Sequence, residues 1–150
     1  MLLESILSTK KISDTLTSKE LSTSNHTVEN YNVVDQGLRS YLLGKKADSD
    51  MGHILENVVY LELLRRGYKV YIGKVDDLEV DFVAENRDGL KYYQVALTVR
   101  DEKVLERELK SLQKTKDHYP KYLITYDMDL ETDYDGITKI NIVDWLLNKE

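Results

Sequence analysis

The chain contains no cysteine. Disulfides, thiolate metal centres and a cysteine nucleophile are therefore excluded, and a reducing compartment is expected. No apolar run approaches the roughly 20 residues needed to cross a bilayer, and Met1–Thr9 lacks the long apolar stretch of a signal peptide. A cytoplasmic location without membrane contact is the expectation. Phenylalanine and tryptophan occur once each, against eleven tyrosines. Tyrosine suits half-buried strands and interfaces, because its ring packs while its hydroxyl stays hydrated or hydrogen-bonded. Basic charge is also short, with 21 Lys and Arg against 27 Asp and Glu. Non-specific DNA affinity comes mainly from cations on phosphates, so an acidic chain needs a local basic patch or a larger assembly to bind DNA.

What is present suffices for one ordinary domain with a small appendage. Hydrophobic residues make up 41% of the 150 positions and charged residues 32%, enough for a core and a solvated surface. In residues 1–31, Leu2, Leu3, Ile6 and Leu7 have helical spacing. Ile12, Leu16 and Leu21 are the next apolar points, and Ser22, Ser24 or Asn25 can cap a helix over His26–Tyr31. This outline fits a helix-turn-helix unit or a helical appendage packed on the main domain.

The strongest helical pattern runs from about Asp50 to Arg66. Ile54, Val58 and Leu61 form one stripe and Leu55, Val59 and Leu63 an adjacent one, with Gly67 as the stop. Three strands are expected next, at Tyr68–Val75, Glu79–Ala84 and Lys91–Val99, with a hairpin turn ending in Asp88-Gly89. An amphipathic helix over Asp101–Lys116 puts Val104, Leu105, Leu109 and Leu112 inward. Beyond Pro120 come a strand at Lys121–Tyr126, an acidic loop at Asp127–Gly136, a short strand at Ile137–Ile140 and a closing turn of helix at Val143–Leu147. A hairpin followed by a crossover helix predicts an α/β fold: a mixed central sheet with flanking helices over 34–150, and a small helical segment over 1–31.

Strand parity puts Glu79, Asp81 and Val83 on one face, and Tyr92, Gln94, Ala96 and Thr98 on one face of the next strand. Asp81 and Gln94 can then lie side by side. Asp81 interrupts the apolar run Val80–Ala84, so its carboxylate needs a metal, a cation or donor groups. Glu56 and Glu62 both flank the apolar arc of the preceding helix, and spacing does not choose between them. A helix carboxylate, a strand carboxylate and the Gln94 oxygen would suit Mg²⁺, which prefers hard oxygen ligands. Ion pairs of these acids with Arg65, Arg66 or a lysine are the structural alternative. Lys110, Lys114, Lys116 and Lys121 could form a modest phosphate-binding patch. The acidic loop has part of a calcium-site pattern at Glu131, Asp133 and Asp135, but the closing acid falls at Ile142.

Gly52–Gly73, Glu79-Val-Asp-Phe-Val83 and Tyr92-Tyr-Gln-Val95 together carry a resemblance. From about Val34 to Trp145 the chain resembles the C-terminal domain of a large family of prokaryotic AAA-type ATPases, itself similar to PD-(D/E)XK nucleases. The resemblance implies that Glu56 is the helix acid and Asp81 the strand acid of a metal site. Gln94 then matches the first residue of Glu-x-Lys, and Ala96 stands where the lysine would be. Alanine cannot stabilise developing charge, and losing one such group typically costs ~10²–10³ in rate. Lys91 or Lys103 could substitute, although Lys91 belongs to the opposite strand face. Lys11–Ser18 and Ser24–Tyr31 resemble helices of the winged helix that precedes this domain in such ATPases, and the wing before Val34-Asp-Gln-Gly-Leu-Arg39 is missing. No Gly-x-x-x-x-Gly-Lys-[Ser/Thr] loop is present, so ATP would belong to the parent ATPase domain. The expectation is a DNA-associated, non-catalytic accessory module with that ATPase domain as partner. A metal-dependent nuclease with a displaced lysine, or an interaction and homo-oligomerisation module, are the alternatives.

Overall fold

The computed structural model describes residues 9–12, 15–17, 30–33 and 51–147. Nine strands and three helices run along these residues. β1 (Thr9–Ile12), β2 (Thr15–Thr17) and β3 (Asn30–Val33) precede α1 (Met51–Arg65). β4 (Lys69–Val75), β5 (Leu78–Asn86) and β6 (Gly89–Ala96) follow, then α2 (Glu102–Lys114) and β7 (Lys121–Thr125). β8 (Thr132–Tyr134), β9 (Ile137–Asn141) and α3 (Ile142–Leu146) complete the described residues.

The main sheet has the order β2-β4-β5-β6-β7-β9-β8. β4, β5 and β6 form an antiparallel meander. α2 then carries the chain across to β7, which pairs parallel with β6. β9 pairs parallel with β7, and β8 folds back antiparallel on β9. The expected α/β fold with a mixed sheet and flanking helices is therefore present. The two hydrophobic clusters lie on opposite faces. Leu55, Val59, Tyr60 and Leu63 of α1 pack on Phe82, Tyr93, Ile124 and Ile140, with Trp145 closing that layer. Leu109 and Leu112 of α2 pack on Val80, Val83, Tyr92, Leu123 and Ile137. Trp145 meets Tyr93 edge-on at 5.8 Å and carries the Arg66 guanidinium over its ring at 4.4 Å.

The turns follow their residues. Asp135 and Gly136 both take positive φ, 52° and 83°, and join Tyr134 to its partner Ile137 in a two-residue hairpin. The acidic loop is thus partly a hairpin, closed by the Gly136 N–H donating to Asp133 at 3.0 Å. Asp101 caps α2 by accepting the Lys103 and Val104 N–H groups.

The N-terminal expectation requires correction. Lys11–Ser18 was expected to be helical, but Thr9–Ile12 and Thr15–Thr17 are strands, and Asn30–Val33 replaces the end of the helix expected at His26–Tyr31. Thr9, Ile12, Thr15 and Thr17 are β-branched and favour extended backbone. β1 pairs antiparallel with β3, and β2 joins the main sheet beside β4. The helix expected at Leu2–Leu7, the turn at Ser22–Asn25 and the Val34–Arg39 segment lie outside the described residues.

Candidate functional site

The site is built around an irregularity in β5. In the β4–β5 ladder Tyr71 is opposite Val83 and Gly73 is opposite Val80. One residue of β4, Ile72, therefore faces two of β5, Asp81 and Phe82. This is a β-bulge, which bends a strand and re-aims the side chains at the extra residue. Val80 and Val83 consequently share the α2 side, while Phe82 and Ala84 face α1. The expected parity, with Glu79, Asp81 and Val83 on one face, fails here because the bulge adds a residue to an alternating strand.

Gly73 makes the bulge sterically feasible. A Cβ on Gly73 would lie 2.8 Å from Val83 Cγ2 and 2.9 Å from Val80 Cβ.

At the same point β5 leaves β6. Their pairing runs from Asn86 with Gly89 to Phe82 with Tyr93 and goes no further, whereas β4 stays paired with β5 as far as Leu78. Asp81 is the first residue of the resulting fork. Its Oδ2 accepts the Val95 backbone N–H at 2.7 Å. Strand N–H groups point within the sheet, so the half-buried carboxylate sits in the plane of the fork rather than on a face.

The surroundings of Asp81 are acidic. Burial pushes its carboxyl up to about 7; the Val95 N–H opposes the shift, and the negative charges of Glu56, Glu108 and Glu79 add to it. Glu56 stands on α1 and Glu108 on α2. Glu56 also lies 3.4 Å from His53 Nδ1, one turn back on the helix.

Glu62 occupies a different setting. It accepts Arg65 Nε at 2.6 Å and Nη2 at 2.7 Å, and Arg66 Nε at 2.8 Å. The Arg65 hydrogen bonds, against the cost of burial and together with Arg66, hold its carboxyl at about 2. Arg66 also donates to the Trp145 carbonyl at 2.6 Å, so Glu62 organises the contact between α1 and α3. Of the two rival helix acids, Glu56 is the one whose charge acts on Asp81, and Glu62 is committed to the arginines.

Gln94 is buried on the α2 side, and both ends of its amide are engaged. Its Nε2 donates to Glu108 Oε2 at 3.0 Å, and its Oε1 accepts the Ser111 hydroxyl at 3.1 Å. Arg107 holds the other Glu108 oxygen at 2.7 Å. Ala96 lies on the same side, in register with Thr125. Gln94 and Ala96 thus share a face as expected, while Asp81 lies apart from it in the fork. Lys91 is on the opposite face, its ammonium 5.9 Å from the Tyr68 ring centre and 5.7 Å from that of Tyr122.

These residues fit a divalent metal poorly. The Gln94 carbonyl already takes the Ser111 hydroxyl, and Glu108 is spent on Gln94 and Arg107. Among the described residues, no three His, Cys, Asp or Glu side chains converge to hold a metal ion. The arrangement is an acid in a strand fork beside a closed polar network.

Glu108, Ser111 and Arg107 were missing from the sequence-based site. Glu108 could have been found, because it stands four residues from both Val104 and Leu112 on the inner face of α2.

The lysine patch also changes. Lys110 and Lys116 are exposed, and Lys114 lies 3.6 Å from Asp76. Lys121 turns inward: its Nζ donates to the Asp117 carbonyl at 2.8 Å, beneath the Tyr92 ring. It packs at the start of the β6–β7 pairing instead of extending a surface patch.

In the acidic loop, Asp127 is buried. Burial works against its charge, but the Val99 N–H, the Thr98 hydroxyl, Lys139 and Arg100 together hold its carboxyl below the usual range. No helix among the described residues is long and apolar enough to cross a membrane.

No family model and no solved structure matches this chain. It is similar to an uncharacterized protein of Haemophilus influenzae, with 37% identity over 172 aligned positions. The match covers 95% of this chain and 42% of that protein, so the chain spans less than half the length of its relative. Because 95% of the 150 residues is about 142, roughly 30 of the 172 aligned positions carry no residue of this chain.

Proposed function

We propose that the chain is an accessory module of a longer AAA-type ATPase, a PD-(D/E)XK-like domain that associates with DNA without cutting it. The observation that carries the reading is the state of the polar groups beside the Asp81 fork. The strand acid is present, but Gln94 is closed off by Glu108 and Ser111, and Ala96 offers no cation. Phosphodiester cleavage needs positive charge where negative charge develops. The charges acting on Asp81 are those of Glu56, Glu108 and Glu79, which oppose a phosphate, and the nearby Arg107 guanidinium is spent on Glu108. The size of the Haemophilus influenzae relative supports a role as part of a larger chain. The roughly 30 unmatched positions agree with a segment, such as a wing, that the relative has and this chain lacks.

Two measurements test the proposal. Purified chain is incubated with supercoiled and linear DNA in Mg²⁺ or Mn²⁺, beside the Asp81→Ala variant. No cleavage above background is expected from either protein, and Asp81-dependent cleavage would overturn the non-catalytic reading in favour of a nuclease with a displaced cation. Salt-dependent DNA binding is then measured for the full-length relative, with and without the segment matching residues 34–150. Loss of affinity on removal is expected; unchanged affinity would sink the DNA role.

A further inference from the structure

A second surface stands out on independent grounds. Between β7 and β8, residues 126–131 alternate between exposed apolar side chains and acids. Tyr126, Met128 and Leu130 are 55%, 85% and 89% exposed. Large apolar groups this open are a standing cost in water, and several together mark an interaction surface. The acids between them anchor the segment. Asp127 is buried on the Thr98 hydroxyl and the Val99 N–H at 2.7 and 2.9 Å, and Asp129 holds Lys139 at 3.0 Å. The Tyr126 N–H donates to the Leu97 carbonyl, and Asn141 donates to the Asp127 carbonyl. The stripe is therefore tied to three strand ends.

Charge selects the occupant. Residues 122–138 hold five acids, Asp127, Asp129, Glu131, Asp133 and Asp135, and no Lys or Arg. Two cations stand against these acids: Lys139, whose buried ammonium is spent on Asp127 and Asp129, and exposed Arg100, 3.5 Å from Asp127; against five carboxylates they leave the loop net negative. Glu131, which ends the stripe, is exposed, as are Asp133 and Asp135 of the hairpin that follows it. Such a rim repels nucleic-acid phosphates and anionic lipid, and it attracts a basic partner.

We infer that this loop is a docking surface for a partner polypeptide that combines apolar anchors with flanking Lys or Arg side chains. Met128 and Leu130 would enter the partner's apolar face, and the acidic rim would set its orientation and speed its approach. The inference stands whether or not the domain associates with DNA.

The test uses the whole chain and two fluorescein-labelled probes: a synthetic leucine–lysine amphipathic peptide, and the same peptide with glutamate in place of every lysine. Anisotropy titrations are run on wild type and on the Met128→Ser/Leu130→Ser variant, whose substituted side chains are exposed and leave the core intact. Binding of the lysine peptide is expected to weaken by about tenfold or more in the variant and to fall with added salt. The glutamate peptide is expected not to bind. Equal binding of both peptides, or an unchanged affinity in the variant, overturns the inference. It is also overturned if light scattering shows a wild-type dimer that the double variant abolishes, because a second copy would then be the occupant.

Discussion

Replacing Asp81 with asparagine removes a charge from the strand fork and keeps an oxygen that can accept the Val95 N–H. The consequence can be worked from the site. A carboxyl moved from its ordinary value of about 3.9 to about 7 is penalised in the fold by roughly 4 kcal/mol when ionised. The folded protein binds this proton more tightly than the unfolded chain. The stability contributed by protonated Asp81 is therefore fully present below about pH 4 and is lost as pH rises through about 7. Wild type and Asp81→Asn should have similar stability near pH 4. At about pH 8 the variant should be more stable, by up to roughly 4 kcal/mol. Urea unfolding followed through the fluorescence of buried Trp145 measures both proteins across this range. The difference between the two proteins reports the Asp81 charge. A variant less stable than wild type at pH 8 would refute the reasoning, since the carboxylate would then have a compensating partner.

Two further predictions concern the elements that hold the fork. Gly73→Ala should destabilise by about 1–3 kcal/mol, because the added methyl meets Val80 and Val83 inside a packed bulge; Gly52→Ala, with nothing within 4 Å of the added carbon, should be neutral or stabilising by up to ~1 kcal/mol in the same urea titration. Equal effects at the two glycines would remove the steric account of the bulge. Glu62→Gln should cost about 1–3 kcal/mol at neutral pH. The Glu62 contribution is present above its ordinary pKa and is lost as pH falls through about 2, so the gap to wild type should close between about pH 4 and pH 2. A gap that persists in acid would show that shape rather than charge couples Glu62 to its arginines.

Much of the scaffold was legible because its patterns are long or chemically distinct. The apolar arc of α1, the β4–β6 meander and the apolar face of α2 all emerge from periodicity and turn residues. Asp81 was legible as a charge in an apolar run. Its setting was not, because alternation assumes a regular strand and one extra residue at the bulge resets the parity. Gln94 was recognised, but its closure by Glu108 and Ser111 depends on how α2 lies across the sheet, which no local pattern encodes. Lys121 was misjudged for a related reason, since a strand-end lysine can fold under a neighbouring ring when a backbone carbonyl waits there. The β-branched threonines of β1 and β2 were visible, but the scattered apolar points between them were read with a helical period.

The topology of the main sheet also bears on the order in which the molecule assembles. β4, β5 and β6 are joined by two-residue turns, so their pairing closes short loops at little entropic expense. β2 reaches β4 only by bringing Thr15 to Ile72, and β6 reaches β7 only after α2 has formed the crossover. Contacts between residues so distant in sequence form late. The Asp81 fork lies inside the early meander, while Glu108 arrives with the crossover helix. The nascent hairpin thus carries Asp81 in open water, and its pKa rises as the rest of the fold buries it, making proton uptake near neutral pH a kinetic marker for that burial step.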